Sequence, residues 1–132
     1  MDIFKAFATN LTAEEEGVEI KIGPDAYITV ARAGNKKYSK KLTTLFDENK
    51  QLLETGTQEA DDMSDELMID VIATTILLGW RGLDFKGKED LPYSVEHAKE
   101  MLAVKDFRKL VMEHAMKVEH FKAGVEDGVL KN

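Results

Sequence analysis

His97, His114 and His120 are the only imidazoles in this chain. With no cysteine present, disulfides and thiolate metal sites are excluded. A helical zinc pair needs two histidines four residues apart on one face. His114 and His120 are six apart, which on one continuous helix aims them at different faces, so the spacing gives zinc no support. His114 falls on an apolar helical stripe and reads as a partnered core histidine. The stretch DFKGKEDLPYSVE sets Asp84 and Glu96 twelve positions apart with Gly87 between them, which invites a calcium loop. Lys86 and Lys88 stand where oxygen ligands are needed, and the glycine is misplaced for the sharp turn, so the pattern fails on detail. Glu14, Glu15, Glu16, Asp61 and Asp62 lie in charged runs, where nothing shifts a carboxylate pKa as acid–base chemistry requires. No G-x-S-x-G elbow and no glycine-rich phosphate cradle occurs. The residues therefore assign no catalytic group, no cofactor and no metal, and the chain is expected not to be an enzyme.

What remains is chemistry of contact. LLGWRGLDFKGKEDLPYS holds the single tryptophan, Trp80, beside Gly79, and places Phe85, Leu91 and Tyr93 within the next thirteen positions among interleaved charges. For Trp80 and Tyr93 we expect structural work: Trp80 as a plug on the end of a central helix, Tyr93 as a staple at the start of the next. Phe85 stands at the loop tip as a candidate docking anchor, since aromatic residues are enriched in interface hot spots. Met112 and Met116, four apart, are a second candidate, because soft side chains adapt to apolar helices. Packing within the chain explains them equally well. Lys36, Lys37, Lys40 and Lys41 form a basic strip, read first as a solvated face and second as a surface for an acidic partner. The stretch ETGTQEADDMSDE, with six acids and no base, follows as a loop or frayed helix end that can cover this strip in its own chain or a neighbour.

These residues need elements to position them. In VEIKIGPDAYITV, Val18, Ile20 and Ile22 alternate with Glu19 and Lys21, Gly23-Pro24-Asp25 is turn chemistry, and Ile28 and Val30 continue, so the stretch reads as a β-hairpin. An isolated hairpin is marginal and must pack on helices or pair with another chain. Asn35 caps a helix over residues 36–54 whose inner face carries Tyr38, Leu42, Leu45, Phe46, Leu52 and Leu53. Ser64 caps a central helix over 65–78, apolar on most faces, with Gly79 as its C-terminal stop. Ser94 caps a short helix with Ala98, Met101 and Leu102 inward. Asp106 caps a last helix over 107–122, striped by Phe107, Leu110, Val111, Ala115, Val118 and Phe121. The expectation is an α+β fold, predominantly α-helical: an N-terminal β-hairpin followed by about four helices. One domain spans 1–132, with an N-terminal segment 1–17, a core 18–122 and a flexible tail 123–132.

Composition bounds the rest. A hydrophobic share of 43% is enough for a real core in 132 residues. A net charge of −7 argues against nucleic acid as the main partner. The absence of cysteine fits a reducing cytoplasm. No basic start with a long apolar run behind it opens the chain, so no signal peptide is expected. The most apolar window, residues 67–78, is too short to span a bilayer and contains Asp70, so no membrane partner is expected.

Taken in order, VARAGNKKYSKKL, a helix running into LLGWRGL, and LPYSVEHAKEMLAVKDFRKLVMEHA resemble the tail assembly chaperones of long-tailed, siphovirus-type bacteriophages. Arg32, Gly34, Asn35, Tyr38, Gly79, Trp80, Pro92, Tyr93, Ser94, Asp106, Phe107 and Arg108 carry the resemblance, which covers residues 18–122. It implies a non-enzymatic protein of the infected cell's cytoplasm, absent from the mature virion. Such a protein binds the tape-measure protein, keeps it soluble and promotes polymerisation of the major tail (tube) protein around it. It also implies that a frameshifted longer form with a C-terminal extension can exist. A free hairpin edge makes a ring or other oligomer of copies plausible. The alternatives are a structural virion protein, such as a head–tail connector or tail terminator, and a small-molecule binding domain or enzyme with a pocket under the GWRGLDFKG loop.

Overall fold

The computed structural model describes residues 1–123. Two short helices, α1 (Ile3–Phe7) and α2 (Leu11–Glu16), precede the hairpin β1 (Val18–Gly23) and β2 (Ala26–Val30). Helix α3 (Lys36–Glu48), the single turn α4 (Lys50–Leu53) and the long α5 (Gln58–Thr75) follow. The chain then forms β3 (Leu77–Arg81), α6 (Val95–Leu102), α7 (Lys105–Ala115) and a 3-10 turn, Val118–Phe121. The fold is α+β and mostly helical, as its patterning indicates. The expected looseness of 123–132 lies, from residue 124 on, outside the described residues; Ala123 itself donates its N–H to the Ala8 carbonyl.

The hairpin does what its alternation asks. Val18, Ile20, Ile28 and Val30 are all buried, while Glu19, Lys21 and Tyr27 face outward and meet Arg81 there: its guanidinium binds Glu19 and stacks 3.7 Å over the Tyr27 ring. Its third strand was not expected. Residues 77–81 extend the sheet antiparallel in the order β1-β2-β3, pairing Ile28 with Trp80 and Thr29 with Gly79. Gly79 is therefore not a helix stop but a strand residue, and the hairpin edge proposed for pairing between copies is covered on its β2 side by this chain. The helix ends at Thr75, where Thr74 and Thr75 donate their hydroxyls back to the Asp70 and Val71 carbonyls. A buried strand and a buried helix are both apolar throughout, so no periodicity separates them.

Helix α5 also begins earlier than residue 65. Thr57, not Ser64, accepts the Ala60 N–H as the cap. Glu59 and Asp61 then occupy the positive end of the helix dipole, so the acidic run is the helix's first turns rather than a loop. Leu67, Val71, Ile72 and Ala73 bury its inner side, and it packs on α3, α4, α6 and β3, which makes it the central helix. The last helix departs from expectation at both ends. Val104 rather than Asp106 precedes it, and it stops at Ala115. The chain then turns so that Phe121, fully buried, plugs the core and its carbonyl accepts the Asn10 N–H at 2.8 Å. Burying a whole phenylalanine outweighs the few helical hydrogen bonds surrendered.

Candidate docking surface

Asn35 is the hinge pin of the frame. Its side-chain oxygen accepts the Tyr38 N–H at 3.0 Å, capping α3. Its amide nitrogen donates to the carbonyls of Arg32 at 2.8 Å and Thr75 at 3.3 Å. One 8%-exposed side chain thus ties the end of the hairpin, the start of α3 and the end of α5. Tyr38 packs half-buried against the core beside it. Arg32 pairs with Glu14 at 2.7 Å and fastens α2 to the same corner.

Trp80 belongs to β3 rather than to a loop. Half-buried, it lies on the core face of the sheet opposite Ile28 and packs on the core. Its indole N–H donates to the Leu91 carbonyl at 2.7 Å, and its ring meets Tyr93 edge-on at 4.8 Å and 71°. The Tyr93 hydroxyl donates towards the Leu77 and Ala73 carbonyls, at 2.8 and 3.3 Å, serving groups that the end of α5 leaves unpaired. Burial raises the Tyr93 pKa. The tyrosine staples the end of the central helix, as well as the approach to α6.

Between them, the loop folds into a small hairpin of its own. Phe85 and Lys88 exchange both backbone hydrogen bonds, at 2.9 and 3.0 Å. Lys86 and Gly87 hold φ of 49° and 80°, the type I′ pattern. Lys86 to Asp90 form the exposed tip, while Phe85 is half-buried and lines a cleft of about 280 Å³ with Ile22, Leu83, Met101, Val104 and Phe107. The structure places Phe85 in the wall of a groove, not at the tip. Met112 is half-buried against the core and lines a second cleft, of about 370 Å³, with Met68, Ile72 and the charged Asp65, Arg108 and Lys109. Met116 is 64% exposed, so the two methionines do not act as one pad. The lysine strip divides too. Lys41 is half-buried and bound to Asp70 at 3.3 Å and the Thr74 hydroxyl at 2.8 Å, with Lys99 on the same carboxylate. Lys36, Lys37 and Lys40 are exposed. Among the described residues, the acids at 59–66 make no ion pair with them; Asp65 pairs instead with Arg108.

The broken last helix brings His114 and His120 together, Nδ1 to Nε2, at 3.1 Å. Spacing on one helix could not reveal this pair. His120 Nδ1 is buried without a partner among the described residues, so we assign the proton between the rings to His120 Nε2, which spares the pair an orphaned N–H donor. Desolvation, followed for His120 by its neighbour, lowers both pKa values. Among the described residues no group of three or more His, Cys, Asp or Glu converges as a metal site, and no helix is long and apolar enough to cross a membrane.

This frame of Asn35, Trp80 and Tyr93 lies within the part of the chain that matches a known family. Residues 33–132 match the family described as YdaY prophage protein. The chain belongs to that family. It is thus a prophage protein, of phage origin. Comparison with curated proteins and with solved structures finds no match.

Proposed function

We propose that this prophage protein is a non-enzymatic tail assembly chaperone. It binds the tape-measure protein in the cytoplasm of the bacterial host, keeps it soluble, and promotes assembly of the tail tube around it without remaining in the virion. The observation that carries the reading is a pair of clefts sharing α7 as a wall. One is walled by Phe85, Leu83, Met101 and Phe107, the other by Met68 and Met112 with cations at its rim. A helical client presents apolar side chains at three- and four-residue spacing, and grooves lined by adaptable methionine and phenylalanine suit them. The net charge of −7 keeps such a surface in solution. Phage origin and the ordered resemblance from Arg32 to Arg108 support the same reading.

The test is co-expression with the tape-measure protein of the same phage, followed by pull-down and by measurement of the client's soluble fraction. Binding or solubilisation by this chain, or by its frameshift-extended form, sustains the proposal. Failure of both forms overturns it in favour of a structural virion role, which purified particles reveal by containing the protein.

A further inference from the structure

Among the described residues, five of the exposed large apolar side chains lie in α1, α2 and the residues before them, none of which lines either cleft. Met1, Ile3, Phe4, Phe7 and Leu11 are 94, 63, 78, 61 and 76% exposed. Positions 3, 4 and 7 share one face of α1 by helical spacing, and Leu11 opens α2. The segment is not loose chain. Asp2 and Asn10 cap its two helices, Thr9 pairs with Lys122, the Asn10 N–H binds the Phe121 carbonyl, and Glu14 holds Thr9 and Arg32. The fold presents these side chains to solvent on a fixed platform.

Two observations decide what covers them. The first is size. At about 200 Å² for a large apolar side chain, the five leave roughly 700 Å² in water. That exceeds the largest patch of an ordinary monomer and comes close to the ~800 Å² each partner contributes to a stable interface. The second is charge. The chain as a whole carries −7, so most faces of two copies repel. Residues 1–13 carry one acid, Asp2, and one base, Lys5, which leaves the α1 face locally neutral, with Glu15 and Glu16 at the far end of α2. An apolar, neutral surface complements itself, as a two-fold interface requires. We propose that α1 and the start of α2 are the contact through which two copies of this chain associate. The proposal does not depend on the chaperone reading and concerns a different surface.

The absence of cysteine supplies the probe. Phe4→Cys and Met116→Cys each introduce one thiol, the second at an exposed apolar site at the end of α7, outside α1 and α2. Under mild oxidation the first should give a cross-linked dimer at least tenfold faster than the second. Equal rates overturn the proposal. Sedimentation across a dilution series of the unmodified chain should show a reversible monomer–dimer equilibrium. In the Phe4→Asp/Phe7→Asp variant the dissociation constant should rise roughly a hundredfold or more, as expected when two aromatic anchors are lost, with the melting temperature of the dilute monomer unchanged. A chain that stays monomeric refutes the proposal, whether the patch then proves to take a lipid vesicle, a client helix or the chain's own residues 124–132. An oligomer indifferent to the double substitution refutes it too.

Discussion

Replacing Asn35 by aspartate should destabilise the protein although aspartate is as good a helix cap as asparagine. The side-chain oxygen that accepts the Tyr38 N–H is retained, so on capping grounds Asn35→Asp costs nothing. The amide nitrogen is lost. It donates to Arg32 at 2.8 Å and to Thr75 at 3.3 Å, and a carboxylate has no proton to offer either carbonyl. The Arg32 carbonyl keeps the backbone N–H of residue 35 at 3.2 Å, so its lost bond counts about 1 kcal/mol, while the Thr75 carbonyl in a largely buried site costs about 1–3 kcal/mol, and the second carboxylate oxygen then faces both carbonyl oxygens. The sum is roughly 3 kcal/mol. For a domain of this size that lowers the melting temperature by about 10 °C. Urea unfolding followed by Trp80 fluorescence and far-UV circular dichroism measures it. Asn35→Ala, which also loses the cap, should be worse by about 1 kcal/mol. The deficit of Asn35→Asp should shrink in acid, because a protonated carboxyl regains one donor. An Asn35→Asp protein melting within a degree or two of the unmodified chain would refute the claim that this residue joins three elements rather than capping one.

Gly82→Ala should cost at least ~2 kcal/mol, because φ is +73° and a Cβ there runs into the Asp25 carbonyl oxygen. Gly79→Ala should fall within ~1 kcal/mol of neutral, since a Cβ there finds ordinary contact with Thr29; thermal melts of the two variants, reversed in order, would contradict the β3 placement. Trp80→Phe should lose ~1–2 kcal/mol by orphaning the Leu91 carbonyl while keeping its packing against Tyr93, and Trp80→Ala about 3–5 kcal/mol, both read from urea midpoints. Because the folded-state pKa values of His114 and His120 are lowered, the unfolded chain binds protons first. The stability from the neutral pair is therefore complete above about pH 6.5 and is lost as pH falls through the lowered values. Urea midpoints should drop across that range, His120→Phe should flatten the drop, and the Glu19–Arg81 pair, whose carboxylate pKa is lowered by the arginine hydrogen bond, should act only in stronger acid.

The elements legible in the sequence were those with a local signature. Alternation marks β1 and β2, and the caps Asn35 and Ser94 stand where their side chains bond in the structure. Strand β3 had no such mark. Leu77 and Trp80 become a strand because β2 offers an unpaired edge, a tertiary cause that no window of residues contains. The acidic start of α5 was misleading for the opposite reason: a run of carboxylates looks like a loop until a helix dipole is available to hold it. The His114–His120 contact depends on a helix break that only the burial of Phe121 explains. As for the docking candidates, residue type singles out Phe85 and Met112 for testing, but type cannot tell a groove wall from a loop tip. The Ile3, Phe4 and Phe7 face went unread because five residues are too few for a periodicity to stand out.

The clasp between residues 8–10 and 121–123 carries a consequence for synthesis. The carbonyl of Ala8 waits for the N–H of Ala123, and the N–H of Asn10 for the carbonyl of Phe121. Glu14 can meet Arg32 early, but this clasp closes only after residue 123 has emerged, and at ~5–20 residues per second that interval lasts many seconds. The contacts that close it are among the most distant in sequence, the slowest kind to form. Closure of this clasp is thus timed by synthesis of residues 121–123, so a nascent chain stalled before Phe121 should display a finished sheet and central helix with residues 8–10 still unfastened.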